Sequence, residues 1–282
     1  MNTLDLYQQV VQRLIDGQEQ LPSLPSITLK IRQAISDPNA TVNHIAELVK
    51  LDPSLSTLLI KYASSPIYRR AAPPNTIETA ISMMGIPAVD NLVMVHSIKS
   101  LFILKSPQLK KLFTAAWKKI IYKGVVSQFI ATSIGYKPAE AAMTMSLLTE
   151  IGSLALLSAL NQASTPPNAD IYSALCKHYE KKLSGLILSQ WGMSNSLIFI
   201  SRHCGEWHND KISKFTLLDI INLAIHTTAI QFADTTDTPP LETLAAYKKL
   251  PPRFQAITDK DQLEFIATNL EEIDKVSSSL VG

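Results

Sequence analysis

Cysteine, glycine and uninterrupted apolar runs are all scarce in this chain of 282 residues. Its two cysteines, Cys176 and Cys204, exclude a disulfide framework and fit a reducing compartment. With only 9 glycines, and no Gly-x-x-x-x-Gly-Lys-Ser/Thr pattern, a glycine-rich phosphate-cradling loop is excluded. No Gly-x-Ser-x-Gly elbow occurs, neither cysteine sits in a catalytic context, and Cys-x-x-Cys and His-x-x-x-His spacings are missing. The first twenty residues contain Asp5 and Asp16 and carry no apolar core, so no signal peptide is expected. A long uncharged run, residues 183–201, is interrupted by Ser, Gln, Asn and two glycines. It reads as a buried helix, a Trp191-Gly192 turn and a second helix, not a membrane span. These absences lead us to expect a cytoplasmic protein without a membrane segment.

What is present points to helices. Hydrophobic residues make up 46% and charged residues 18%, enough for a sizeable core in one large or two ordinary domains. Leu55, Leu58, Leu59 and Tyr62 fall at i, i+3, i+4 and i+7, while Val42, Ile45 and Val49 line a second stripe. Near the C-terminus Leu263, Ile266, Ala267, Leu270 and Ile273 repeat the pattern. Start signals precede the stripes: Asp52 before Pro53, and Asn75 with Glu78 three residues on, a capping-box spacing. No period-two alternation, solenoid repeat or low-complexity tract interrupts this. The fold class is therefore all-α. Proline pairs suggest three consecutive segments: an N-terminal helical bundle over 1–106, a second bundle over 107–210 and a helical extension over 211–282.

Within the first bundle five punctuated motifs follow one another. They are Leu21-Pro22-Ser23-Leu24-Pro25, Ser36-Asp37-Pro38, Leu51-Asp52-Pro53-Ser54-Leu55, Ala63-Ser64-Ser65-Pro66-Ile67-Tyr68, and Thr76-Ile77-Glu78-Thr79-Ala80-Ile81 running to Gly85. In this order they resemble the HDOD family, over roughly residues 14–210. One departure is Ser64, where the family usually carries asparagine. The resemblance implies an HD-like helical core related to metal-dependent phosphohydrolases, commonly without their metal ligands, and a role in bacterial signal transduction.

It also implies where the ligands of an HD site would fall. The Leu-Leu-His-Asp-Ile-Gly context corresponds to residues 147–152, so the His-Asp pair becomes Thr149-Glu150. The first histidine, two residues after a tryptophan, becomes Lys119 after Trp117, and a later one becomes Lys181. Only His203 remains near the terminal histidine position. An ammonium offers no lone pair to a metal, and threonine offers no imidazole. The expectation is a degenerate HD site at Lys119, Thr149, Glu150, Lys181 and His203, with no metal, cofactor or catalytic residue. Glu150 is expected to pair with Lys119 where a metal would otherwise sit. The neighbouring group Cys204, Glu206, His208 and Asp210 has poor ligand spacing, and His96 reads as a hydrogen-bonded core histidine.

Charge supplies the positive feature. Between Asp90 and Glu140 there is no acidic residue but eight lysines, at 99, 105, 110, 111, 118, 119, 123 and 137. From Asp234 onward nine acids face five bases, so the acidic tail could fold against the basic helices. Lys110, Lys111, Lys118, Lys119 and Lys123 are candidate anion-binding residues. The leading reading is a non-catalytic regulatory module that binds a protein partner or a small anionic signalling ligand. The alternatives are an HD-type metal-dependent phosphohydrolase, and an RNA- or anion-binding protein using the basic region. RNA is disfavoured because that region has no arginine and few aromatic residues for base stacking.

Overall fold

A computed structural model describes residues 3–18, 20–65, 73–139, 141–161, 163, 165–209 and 213–281. Pro66, Ile67 and Tyr68 of the fourth motif, Glu140 and Asp210 lie outside the described residues. The helices in chain order are α1 (Thr3–Ile15), α2 (Ser26–Ser36), α3 (Val42–Lys50), α4 (Pro53–Ala63), α5 (Ile77–Met84) and α6 (Ile86–Leu101). There follow α7 (Pro107–Ile134), α8 (Ala141–Thr149), α9 (Ile151–Leu160), α10 (Ala169–Gln190), α11 (Asn195–His203) and α12 (Leu217–Gln231). Shorter pieces, α13 (Ala245–Lys248) and α14 (Glu264–Ala267), lead to α15 (Leu270–Val281). Among the described residues there is no strand, only an isolated bridge between Ile257 and Leu263. The all-α expectation is met.

Packing groups the chain differently from the three consecutive segments read from its prolines. One unit comprises residues 1–22 with 102–273, the other residues 23–101 with 274–282. In the second unit, the motifs act as caps. Asp52 accepts from the N–H groups of Ser54 and Leu55 at 2.9 and 3.0 Å, which starts α4. Its other oxygen meets His96 Nε2 of α6 at 2.8 Å, so His96 is indeed hydrogen-bonded. The start of α5 differs from the sequence reading by one residue. Thr76, not Asn75, is the cap and accepts from Thr79 N–H at 3.1 Å, while Glu78 pairs with Lys50 of α3. Gly85 at φ 81° turns the chain between α5 and α6, a conformation that favours glycine. Ser64 closes α4 by donating to the Ile60 carbonyl at 2.7 Å, so this hydroxyl bonds its own helix.

In the first unit, α8 and α9 are buried along nearly their whole length because other helices surround them. Helix α9 packs against α1, α7 and α10, and α8 against α7, α10, α11 and α12. The stretch Ala141–Leu160 has the length and hydropathy of a membrane span, yet 83% of it is buried inside the protein. Helix α1 joins this core through Tyr7, Val11 and Leu14, packed with Leu156, Leu157, Leu160 and Leu175. Tyr7 also donates to the Thr165 carbonyl at 2.8 Å. Helix α12 packs on α7 and thus belongs to the same core, rather than to a separate extension. The Trp191-Gly192 turn lies where the sequence places it, with Gly192 at φ 66° between α10 and α11.

Candidate functional site

The joint between α8 and α9 positions the site. Glu150 leaves helical geometry there, with φ −109° and ψ 14°, and serves as the N-cap residue of α9. Two close approaches hold the joint in place. Gly124 of α7 faces Leu147 and Met143 of α8 so closely that an added Cβ would lie 3.3 Å from Leu147. Gly152 faces α10 more tightly still: a Cβ would fall 2.1 Å from the Glu180 carbonyl oxygen and 2.8 Å from Ser184 N. Gly152 N–H instead donates to Ser184 Oγ at 2.9 Å. The Ile-Gly end of the HD-like frame is thus required by packing, independent of any metal.

Lys123 of α7 points at this joint. Its ammonium donates to Thr149 Oγ1 at 2.9 Å and to Glu150 Oε1 at 2.5 Å, and its side chain is only 2% exposed. Thr149 passes its own hydroxyl proton to the Ser146 carbonyl at 2.7 Å, which leaves its oxygen to accept from the lysine. The expected Glu150–Lys119 pair is therefore corrected: Glu150 pairs with Lys123, one helical turn further along α7, at the level of the joint. Lys119 pairs instead with Asp234, at 2.6 Å.

These groups line a cavity of about 350 Å³, bounded by residues of α7, α10, α12, the α8–α9 joint and the loop after α12. Lys119, Lys123, Lys177 and Lys181 supply cations, and Glu150, Glu180, Asp234 and Asp237 supply carboxyl groups. Cys176, Cys204, Trp207 and Ile225 contribute the less polar wall. Of the residues expected from the sequence, Lys119, Lys123, Glu150 and Lys181 do meet here, with Thr149 directly behind. Two expectations are not met. His203 is not part of the lining; its Nδ1 bonds Glu206 at 2.9 Å and its ring lies against Phe199. Lys110, Lys111 and Lys118 are exposed on α7 away from the cavity, so the five lysines do not form one site. Helical spacing explains this: 119 and 123 share a stripe that the others do not.

Glu180 is the residue the sequence reading missed. The available signal was its place four residues from both Cys176 and Ser184, a carboxylate on a stripe that faces the core. Burial, and then the charge of Glu150, pushes its pKa up to about 8, against the opposing pull of Lys123 and Lys181. It keeps partial access to solvent although protein closes densely around it. The folded protein therefore holds a proton on Glu180 between pH 4.5 and about 8, where the unfolded chain has lost it. Stability contributed by this proton falls as pH rises across that window. His226 acts in the opposite direction below pH 6.5, because burial lowers its pKa. The expected result is a decline in urea-unfolding free energy of about 1–2 kcal/mol between about pH 6.5 and 8, and Glu180→Gln flattens it. An unchanged slope in the variant contradicts the assignment.

Neither cysteine is activated. Burial pushes the Cys204 thiol up to about 11 and raises Cys176 further, so both remain protonated at neutral pH. The donor set also fails to fit a divalent metal. The ammonium of Lys123 already supplies positive charge between Thr149 and Glu150, and no imidazole reaches the cavity lining. Among the described residues, no group of three or more His, Cys, Asp or Glu side chains could hold an ion.

A helical core with this joint facing α7 and α10 defines an HD-like protein. The HDOD domain model matches residues 21–206, and the chain belongs to the HDOD family. Three solved structures are similar in fold. A Shewanella amazonensis protein named "Putative metal-dependent phosphohydrolase" is 16% identical with a TM-score of 0.76, with 98% of each chain covered. A Geobacter sulfurreducens HDOD domain protein of unknown function is 14% identical with a TM-score of 0.66, again with 98% of each chain covered. A Marinobacter aquaeolei protein named "Putative signal transduction protein" is 17% identical with a TM-score of 0.62; the match covers all of this chain and 67% of that one. No curated protein matches this chain.

Proposed function

We propose that this protein is a non-catalytic regulatory module of the HDOD type that acts by binding a small anionic signalling ligand or a protein partner. The observation that carries the reading is the buried Lys123 ammonium bonded to Thr149 and Glu150, where an HD hydrolase would hold its metal. A cation built into the chain can organise these groups but cannot activate water as a metal does. Both thiols, held protonated by burial, are poor nucleophiles at neutral pH, which also supports the non-catalytic reading. The hydrolase name of one similar structure is the second reading, and the donor set argues against it. The expected outcome of a screen with phosphate mono- and diesters, in manganese, iron or zinc, is no turnover above buffer. Turnover that scales with protein and disappears in Glu150→Ala would establish the hydrolase instead.

A further inference from the structure

Four lysine side chains converge on one cavity, and two of them are held by carboxylates from a single loop. Residues 234–238 follow α12, and the loop leaves the helix through Ala233 at φ 53°, a left-handed conformation that alanine adopts at a cost. That turn carries Asp234 to Lys119 of α7 at 2.6 Å and Asp237 to Lys177 of α10 at 2.5 Å. The two aspartates are 63% and 71% exposed, so these pairs are open to water and cheap to displace. Lys181 lines the same cavity and has no hydrogen bond or ion pair with any described residue.

We propose that this cavity receives a small organic phosphate carrying at least two negative charges, and that Asp234 and Asp237 occupy its anion positions when none is bound. The proposal rests on reading the cavity as a non-catalytic ligand site. Lysine ammonium groups bind phosphate as point charges from several directions, which suits four lysines converging from α7 and α10. Trp207 and Ile225 give the organic part of such a ligand an apolar wall. A volume of about 350 Å³ is of the size that takes one small phosphate ester. With the proton of Glu180 retained at neutral pH, four ammonium groups face three ionised carboxylates, so the cavity favours an anion before the loop moves. Binding would exchange the carboxylates for phosphate oxygens on Lys119 and Lys177 and free the 234–238 loop. The ligand would thus be read out as the position of that loop.

The test is calorimetric titration of the full chain with inorganic phosphate and pyrophosphate, against sodium chloride at matched ionic strength. Wild type is expected to bind one pyrophosphate, more tightly than phosphate. Asp234→Asn with Asp237→Asn removes the internal competitors and is expected to tighten binding roughly three- to thirtyfold. Lys119→Ala and Lys181→Ala are each expected to weaken it, with unfolding midpoints near wild type because both residues reach solvent. Absence of binding in both wild type and the double variant overturns the site. Binding that ignores the lysine changes does the same, and lysine-dependent binding without a gain in the double variant overturns the competitor role of the loop. Failure of the parent reading is distinguishable, because it shows as stoichiometric metal and ester turnover in the same samples.

Discussion

Lys123→Ala is expected to destabilise the protein by about 3–5 kcal/mol near pH 7.5, the cost typical of removing one partner from a buried pair. The lysine is almost wholly buried, and Glu150 takes its compensating charge from it. Its loss also empties the space of a four-carbon stem in a closely packed region. Lys123→Met keeps most of the stem and isolates the charge; adding Glu150→Gln should then recover much of the loss, since an uncompensated carboxylate no longer remains. Urea unfolding of the four members of this cycle measures the coupling directly. Additive losses would show that the 2.5 Å pair is not the organising contact of the site.

The second large effect is at Gly152. Gly152→Ala would place a methyl group 2.1 Å from the Glu180 carbonyl and 2.8 Å from Ser184 N, both backbone atoms that cannot rotate away. Overpacking commonly costs about 1–3 kcal/mol, and a backbone obstruction lies at or beyond the top of that range. Helix α10 would have to move away from α9, which breaks the Gly152–Ser184 bond and shifts Glu180 within the cavity. A fall in unfolding midpoint of roughly 6–12 °C, or failure to accumulate folded protein, is expected. Gly124→Ala is the matched control: its nearest contacts are flexible side-chain atoms of Leu147 and Met143 at 3.3–3.4 Å, so the loss should be clearly smaller. Equal losses at the two glycines would contradict the packing argument.

These two residues also show what the sequence could and could not reveal. Gly152 stood in the Leu-Leu-Thr-Glu-Ile-Gly frame, and the frame is local: a helix, a break and a glycine against the next helix. Asp52-Pro53, the Trp191-Gly192 turn and the HDOD punctuation were legible for the same reason, since caps and turns are decided within a few residues. The partner of Glu150 was not. Choosing between Lys119 and Lys123 needs the level at which α8 crosses α7, and that is set by contacts at Gly124 far along the chain from the joint. Glu180 stayed hidden because its meaning depends on Glu150, thirty residues earlier in sequence. Helix α1 likewise joins the core of α9 and α10, a placement that no proline boundary indicates.

The acidic C-terminal region was legible as a charge imbalance, but not as a contact. Only the turn at Ala233 brings Asp234 to Lys119, and that turn has no glycine or asparagine to announce it. The result is a site in which each position expected to bind metal through nitrogen is a lysine, a threonine or a residue displaced from the cavity.

Metal binding tests this account most directly. Purified protein is titrated with manganese and zinc at neutral pH, desalted, and its metal content measured. With Lys123 bonded to Thr149 and Glu150, the content should stay far below one ion per chain and should not respond to Glu150→Ala. One ion per chain, lost on Glu150→Ala, would mean that the lysine yields its place to a metal and that the site is a hydrolase centre after all.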